Sequence, residues 1–355
     1  MSDIETIDET LAAAVDDLFA DRAPAAHEAI DAGAPSLELW GLVEQLGFTR
    51  IGIDESLGGS GGSLIDLLTV LVAAARHAAP VPLAENFLAA TLLCQAAAEL
   101  PQGLLTVAPP GHTTAVQQPD GTSRVAVRQV PWAHTAARVV ALVPTATAAR
   151  IVVDEPTDSV RSGENLAGEP VAEIELANVH LDSLPVGSLE EHFWLGALCR
   201  SAQIAGALQT VAELTRQYAE ERVQFGKPIG RFQAVQQHVV TVAQSAAIAS
   251  TQLWLAAHAW ASDAPNRSFE VACAKLVANE AARVAARAAH QAHGAMGMTR
   301  EYPLHRYTRR LALWRMQYGT ERSLAESIGA AVSTQASFAR ALSDTEPELT
   351  VPCPM

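Results

Sequence analysis

Aromatic side chains are scarce, at 5% of 355 residues. A core without them must be built mainly from Ala, Leu and Val. Ala and Leu are good helix formers, so this favours close-packed helices. Basic side chains are also outnumbered: 24 Lys and Arg against 39 Asp and Glu leave a net charge of −15. A general nucleic-acid binder needs a basic stripe, and that class is excluded. Cysteine is limited to Cys94, Cys199, Cys273 and Cys353, with no CxxC among them. They read as buried or incidental thiols of a reducing cytoplasm, without a disulfide or zinc framework. The longest apolar run, 64–75, carries Asp66 and is closed by Arg76, so no membrane span is expected. The N-terminus is acidic and lacks the basic-then-apolar layout of a signal peptide.

What is present is apolar mass. Hydrophobic residues make up 49% of the chain, and at roughly 100–200 residues per domain its length allows two or three domains. Helical patterns run over 4–21, 25–32, 36–46, 64–77 and 84–99, with a polar cap at Ser36 and a glycine-rich hinge at 58–62. From Pro101 to about Gly187 the chain is rich in Val, Thr, Pro and Gly. Strand-like runs there cover 123–130, 138–143, 149–153 and 171–176. Beyond Ser188, helices are expected over 190–223, 232–261, 269–293, 303–317 and 320–342. Long helices joined by short loops make a four-helix bundle plus an extra helix. The expected domains are N-terminal helices (1–100), a small middle β domain (101–187) and a C-terminal helical bundle (188–343), followed by a loose tail (344–355).

Familiar site signatures are missing. The run Gly58-Gly59-Ser60-Gly61-Gly62 lacks the Lys-Ser/Thr of a phosphate loop and reads as a turn between helices. No GxSxG occurs, which disfavours a hydrolase elbow. His290 and His293 share a helix face, but without an HExxH glutamate they fit surface or interface histidines better than metal ligands. Glu190 and Glu191 open a helix, where carboxylates suit the dipole. Arg222 near a helix end either pairs with an acid or binds an external anion, ion pairing being the commoner outcome.

Two longer stretches carry more. Glu221-Arg222-Val223-Gln224-Phe225-Gly226, with Ile229 and Gln233, resembles the pattern E-R-x-x-F-G-x-x-I-x-x-x-Q of the acyl-CoA dehydrogenase family. Gln291-Ala292-His293-Gly294-Ala295-Met296-Gly297-Met298-Thr299 through Pro303 resembles the family's Q-x-x-G-G-x-G-x-T-x-E-x-P, and Arg309 and Gly319-Thr320 follow in order. The passages at 46–59 and 178–182 are weaker matches. The resemblance implies N-terminal helices, a middle β domain and a C-terminal four-helix bundle. It also implies FAD held between subunits and desaturation of acyl-CoA thioesters at Cα–Cβ, with a carboxylate taking the α-proton. By position, Arg222 would contact the FAD pyrophosphate of a neighbouring subunit. Phe225 and Gln233 would line its adenine side, Gln224 and Ile229 would also be cofactor-binding, and Gln291 and Gly294 would form the glycine-rich turn, Ala295 replacing a usual glycine there.

Two departures stand out. The resemblance puts the base glutamate at Tyr318 or, in some members, near Gly196 and Ala197; Glu190 and Glu191 lie nearly two turns too early. An ordinary phenol is ionised to only about 0.1% at pH 7 and makes a poor general base. The loop expected to face the flavin ring, near 105–113, lacks its acid and its Ser-Asp. The groups that would serve the chain's own flavin are missing, while those that would reach a partner's are kept. The resemblance then implies one subunit of an α2β2 assembly like the actinobacterial steroid-CoA dehydrogenases. Its partners would be a homologous base-bearing chain, an acyl-CoA substrate and an electron-transfer flavoprotein. Two alternatives are an active homo-oligomer using Tyr318, Glu190 or Glu191, and a flavin-free structural subunit.

Overall fold

In the computed structural model, residues 7–33, 37–144, 149–154, 161–179, 181–333 and 351 are described. The expected cap at Ser36, His180 of the 178–182 match, Cys353, the last helix beyond Ser333 and nearly all of the tail lie outside them. The order helical, β, helical holds. Helix α1 (Glu9–Asp31) runs straight through Pro24, where a break was expected. Val15, Phe19, Ala23 and Ala26, spaced along one face, are buried on both sides of the proline, and that burial offsets the lost N–H. Helices α2 (Glu38–Gln45), α3 (Leu64–Arg76) and α4 (Leu83–Gln95) follow. The glycine run after α2 is a locked turn and no loose hinge: Ser60 N donates to Arg50 O, and Gly61 N to Ile53 O. A Cβ on Gly59 would come within 2.0 Å of Ile53 O.

The middle of the chain forms two four-stranded sheets. In one, β1 (Leu105–Val107) lies parallel to β4 (Arg138–Pro144), followed by antiparallel β5 (Ala149–Asp154) and β8 (Asp182–Ser183). The other is antiparallel, ordered β2 (Thr113–Gln117), β3 (Ser123–Pro131), β7 (Pro170–Val179) and β6 (Arg161–Glu164). A register shift between Val127 and Val130 leaves Val125, Val127 and Val130 all buried, the usual use of a bulge. Strands β1, β2, β6 and β8 escaped the sequence reading because they are short, and β2 and β6 are largely polar and exposed.

Helix α5 (Ser188–Glu221) opens the C-terminal part, followed by α6 (Gln233–Ala261), α7 (Arg267–His293), α8 (Leu304–Trp314) and α9 (Glu321–Ser333). By contacts the chain divides into two compact units. One holds Met1–Ala23, Leu68–Ala79 and Ala197–Pro354; the other holds Pro24–Leu67, Pro80–Gly196 and Met355. Within the first, α5 crosses the end of α3 at Gly206, where a Cβ would sit 2.3 Å from Val72 O. The carbonyl of Arg76 at the end of α3 accepts from Thr210 Oγ1 (2.6 Å) and Tyr307 Oη (2.9 Å), so side chains satisfy a helix terminus. Helix α6 reaches the length and composition of a membrane crossing, with mean hydropathy 1.3 over its most apolar window, although no such segment was expected. Its Ala, Val and Leu are interrupted by Gln, His, Ser and Thr but by no charge, which hides the hydropathy from a search for unbroken apolar runs.

Two predictions follow from this packing. Gly206→Ala forces α3 and α5 apart against backbone and should cost about 2–3 kcal/mol; an unchanged urea midpoint would refute the close crossing. His192 is buried in α5, and burial pushes its pKa down to about 4. The folded state therefore keeps it neutral while the unfolded chain takes up a proton below about pH 6.5. Its contribution is present above pH 6.5 and is lost as the pH falls from there toward 4, by about 3 kcal/mol in all. Denaturant midpoints across that range should fall less steeply in His192→Gln.

Candidate functional site

Helix α5 ends at Glu221, and the chain turns back at once. Strands β9 (Val223–Gln224) and β10 (Lys227–Pro228) pair antiparallel, and Ile229 N donates to Arg222 O at 2.8 Å. Between them Phe225 (φ 53°) and Gly226 (φ 79°) are both left-handed, as a two-residue type I′ hairpin requires. Glycine adopts that conformation freely; for Phe225 it costs about 1 kcal/mol or more. The Phe225 ring is 92% exposed. It stands edge-on to Phe232 at 6.1 Å, and Lys227 Nζ lies 4.4 Å over the Phe232 ring. A strained backbone thus holds a large apolar ring in water.

Arg222, Gln224 and Gln233 are exposed and Ile229 is half-buried. Ion pairing was the expected outcome for Arg222, yet it forms no ion pair among the described residues. Its acidic neighbours are taken: Glu220 by Arg216 at 2.7 Å and Glu221 by Gln217 at 2.8 Å. Helix α6 then starts without a side-chain cap.

Helices α6 and α7 are joined by the short loop 262–266 and pack along each other, so they run antiparallel. The end of α7 therefore returns to the start of α6, bringing Gln291, Gly294 and Ala295 to the end that carries Gln233. All three are exposed. Gly294 (φ 59°, ψ −139°) has open space where a Cβ would be. Three rings that the sequence reading did not single out as a group tie this end together. His293 stacks on Tyr218 at 4.5 Å and meets Tyr302 at 4.8 Å, and Tyr302 Oη donates to Leu214 O at 3.2 Å. His293 Nδ1 lies 2.8 Å from Ala289 O, so it carries the proton. Burial pushes the imidazole pKa down and the Tyr302 phenol up, which keeps both neutral. His290 Nε2 instead meets Thr308 Oγ1 at 3.1 Å. The two histidines that shared a helix face thus have separate partners.

The donor set fits a dinucleotide diphosphate. It offers the Arg222 guanidinium, a second exposed arginine at Arg231, exposed amides at Gln233 and Gln291, and an uncapped helix start. Phe225 adds an apolar face suited to a base ring.

Tyr318 belongs to a different place. It lies in the turn between α8 and α9, 4% exposed, at φ 52°. Gly319 follows at φ 100°, where a Cβ would come 2.8 Å from Leu324. Beneath the turn, Lys275 is wholly buried. Its Nζ donates to Asn279 Oδ1 (2.5 Å) and to the carbonyls of Trp314 (3.1 Å) and Gly319 (3.4 Å), and Asn279 Nδ2 donates to Gly319 O (3.0 Å). A lysine and an asparagine one turn apart in an alanine-rich helix were the available signal for this lock. Glu190 and Glu191 are exposed and serve their own surroundings: Glu190 accepts from Trp194 Nε1 at 3.3 Å and Glu191 from Gln95 Nε2 at 2.9 Å.

Comparison with known proteins agrees with the motifs. Residues 6–100 match the acyl-CoA dehydrogenase N-terminal domain, and residues 188–333 the acyl-CoA dehydrogenase C-terminal domain. The acyl-CoA dehydrogenase IpdE2 of Mycobacterium tuberculosis is 30% identical over 77% of this chain and 79% of its own length. The ChsE4–ChsE5 complex of M. tuberculosis shares the fold with TM-score 0.79 and 23% identity, covering 94% of this chain and 100% of the matched one. The Tcur3481–Tcur3483 steroid ACAD, as a G363A variant, gives TM-score 0.79 and 23% identity over 92% of this chain and 97% of its own. The chain belongs to the acyl-CoA dehydrogenase family, whose members are FAD-dependent flavoproteins.

Proposed function

We propose that the chain is a subunit of an FAD-dependent acyl-CoA dehydrogenase that introduces a Cα–Cβ double bond into an acyl-CoA thioester. It completes the FAD site of a homologous, base-bearing partner. The carrying observation is a contrast in exposure. Arg222, Phe225, Gln233 and Gln291 face outward, while the position at which the resemblance puts the base holds a buried tyrosine.

When bound, FAD supplies a two-electron acceptor for the β-hydrogen. This chain's part is to bind and orient. Arg222 holds the pyrophosphate, with Gln224, Ile229 and Gln233 along the adenine side and Phe225 against it. Gln291, Gly294 and Ala295 let the backbone approach closely. The α-proton goes to a carboxylate of the partner. Helix α6 supports the same reading, because Val240, Ala243, Ala247, Ile248 and Leu255 form an exposed apolar stripe on it that a homologous chain would cover. The acyl group we assign is a steroid-derived CoA ester, in keeping with the fold shared with a steroid ACAD. An electron-transfer flavoprotein as acceptor and a cytoplasmic location complete the reading.

The test is the flavin-to-chain ratio, by absorbance and native mass, for the chain alone and co-expressed with an acyl-CoA dehydrogenase encoded beside its gene. One FAD per unlike pair, with desaturation only in the complex, is expected. One FAD per identical chain with activity alone overturns it. In the complex, Arg222→Ala should weaken FAD binding by about tenfold or more, the worth of one charge-assisted contact, while Tyr318→Phe should leave the desaturation rate unchanged. A large loss in Tyr318→Phe would return the base to this chain.

A further inference from the structure

His293 closes helix α7 with one ring nitrogen unused. The residue is 3% exposed, stacked on Tyr218 and in contact with Tyr302. Nδ1 bears its proton, bound to Ala289 O. Nε2 is buried and makes no hydrogen bond among the described residues. The carbonyl placed to favour a second proton on the ring is that of Leu214. That oxygen is already in use: Tyr302 Oη donates to it at 3.2 Å, and within α5 it accepts the amide of Tyr218, four residues on. A carbonyl oxygen has two lone pairs. A proton on Nε2 must therefore displace the tyrosine hydroxyl or stay buried without a partner.

The titratable neighbours give no relief. Tyr218 and Glu221 come from α5, His290 from α7, Tyr302 from the segment before α8, and His305 from α8, its Nδ1 2.9 Å from Tyr302 O. Glu221 accepts from Gln217, and no carboxylate pairs with His293 among the described residues. Burial first, then His290, hold the imidazole pKa below its ordinary value, against the pull of the Ala289 and Leu214 carbonyls. The links outward are short. Tyr218 O accepts from Arg222 N at 2.9 Å, and Arg222 O from Ile229 N at 2.8 Å, while Gly294 directly follows His293. The stacked pair thus joins the hairpin 222–229 to the glycine turn.

We propose that His293 is a positioning residue that acts as a proton switch: with one proton it locks the hairpin 222–229 to the glycine turn, and a second proton, on Nε2, unlocks them and weakens FAD binding. The last step rests on the reading that FAD lies on this surface; the switch itself does not. The lock is complete above about pH 6.5, the ordinary imidazole value, and opens as the pH falls from there through the lowered value of the folded state.

The test is hydrogen exchange of the Ile229 amide in the full chain, corrected for its intrinsic rate. Between pH 7 and pH 5 protection should fall at least about threefold. In His293→Phe, which keeps a ring but no proton, it should stay level, and in Tyr302→Phe, which frees Leu214 O for Nε2–H, the fall should shrink. His192→Gln should keep the fall, which separates the switch from loss of global stability. A level wild type overturns the switch, and so does an equal fall in His293→Phe; if that variant does not fold, an undiminished fall in Tyr302→Phe does so. FAD titration of the chain co-expressed with the neighbouring acyl-CoA dehydrogenase should show a matching rise in Kd from pH 7 to pH 5. A fall in protection with unchanged FAD affinity leaves the switch standing and overturns the placing of FAD on this hairpin.

Discussion

The antiparallel pairing of α6 and α7 is the constraint on which the candidate cofactor surface depends. Two helices of 29 and 27 residues joined by a short loop must end where they began. That brings the glycine turn after α7 back to the start of α6. The Tyr218–His293–Tyr302 cluster then ties the end of α5 to the same place. Arg222 lies one turn after Tyr218, and Gly294 directly follows His293, so three packed rings set the spacing of two motifs about 70 residues apart. Because these are ring-packing contacts, the spacing is little affected by salt.

A second constraint works inward. Arg200 and Lys275 are both buried, and burying two like charges side by side is costly. The cost is met by donating every Lys275 hydrogen bond to a side-chain or backbone oxygen and by lowering its proton affinity. What this arrangement fixes is a left-handed tyrosine followed by a left-handed glycine. Strain of this kind persists only where the surroundings over-determine it. Here they do so with two donors on one carbonyl and an ion pair between Arg315 and Glu321 across the turn.

Much of this was legible in the chain. Low aromatic content and abundant Ala and Leu pointed to close-packed helices, and Gly206 shows how close the packing is. The E-R-x-x-F-G and Q-x-x-G stretches could be found because their spacing is local. Other features were hidden because they are products of tertiary contact. Arg222 looked likelier to pair than to stay free, since sequence alone does not show that Arg216 and Gln217 occupy the neighbouring acids. Helix α1 looked broken at Pro24, since a propensity argument omits the buried face that carries it across. The Arg200–Tyr318 contact joins positions 118 residues apart, and no local pattern marks it.

The outward and inward features belong to one argument. An exposed Phe225 on a strained hairpin and an uncovered apolar stripe on α6 are both unfavourable for an isolated chain, by backbone strain and by hydration of apolar surface. Neither feature improves this chain's own interior. Both become favourable once another surface covers them. The interior at Tyr318, by contrast, is buried, and Lys275 and Asn279 both donate to Gly319 O beside it. The proposed partner would cover both outward features at once, removing the apolar hydration cost at Phe225 and along α6.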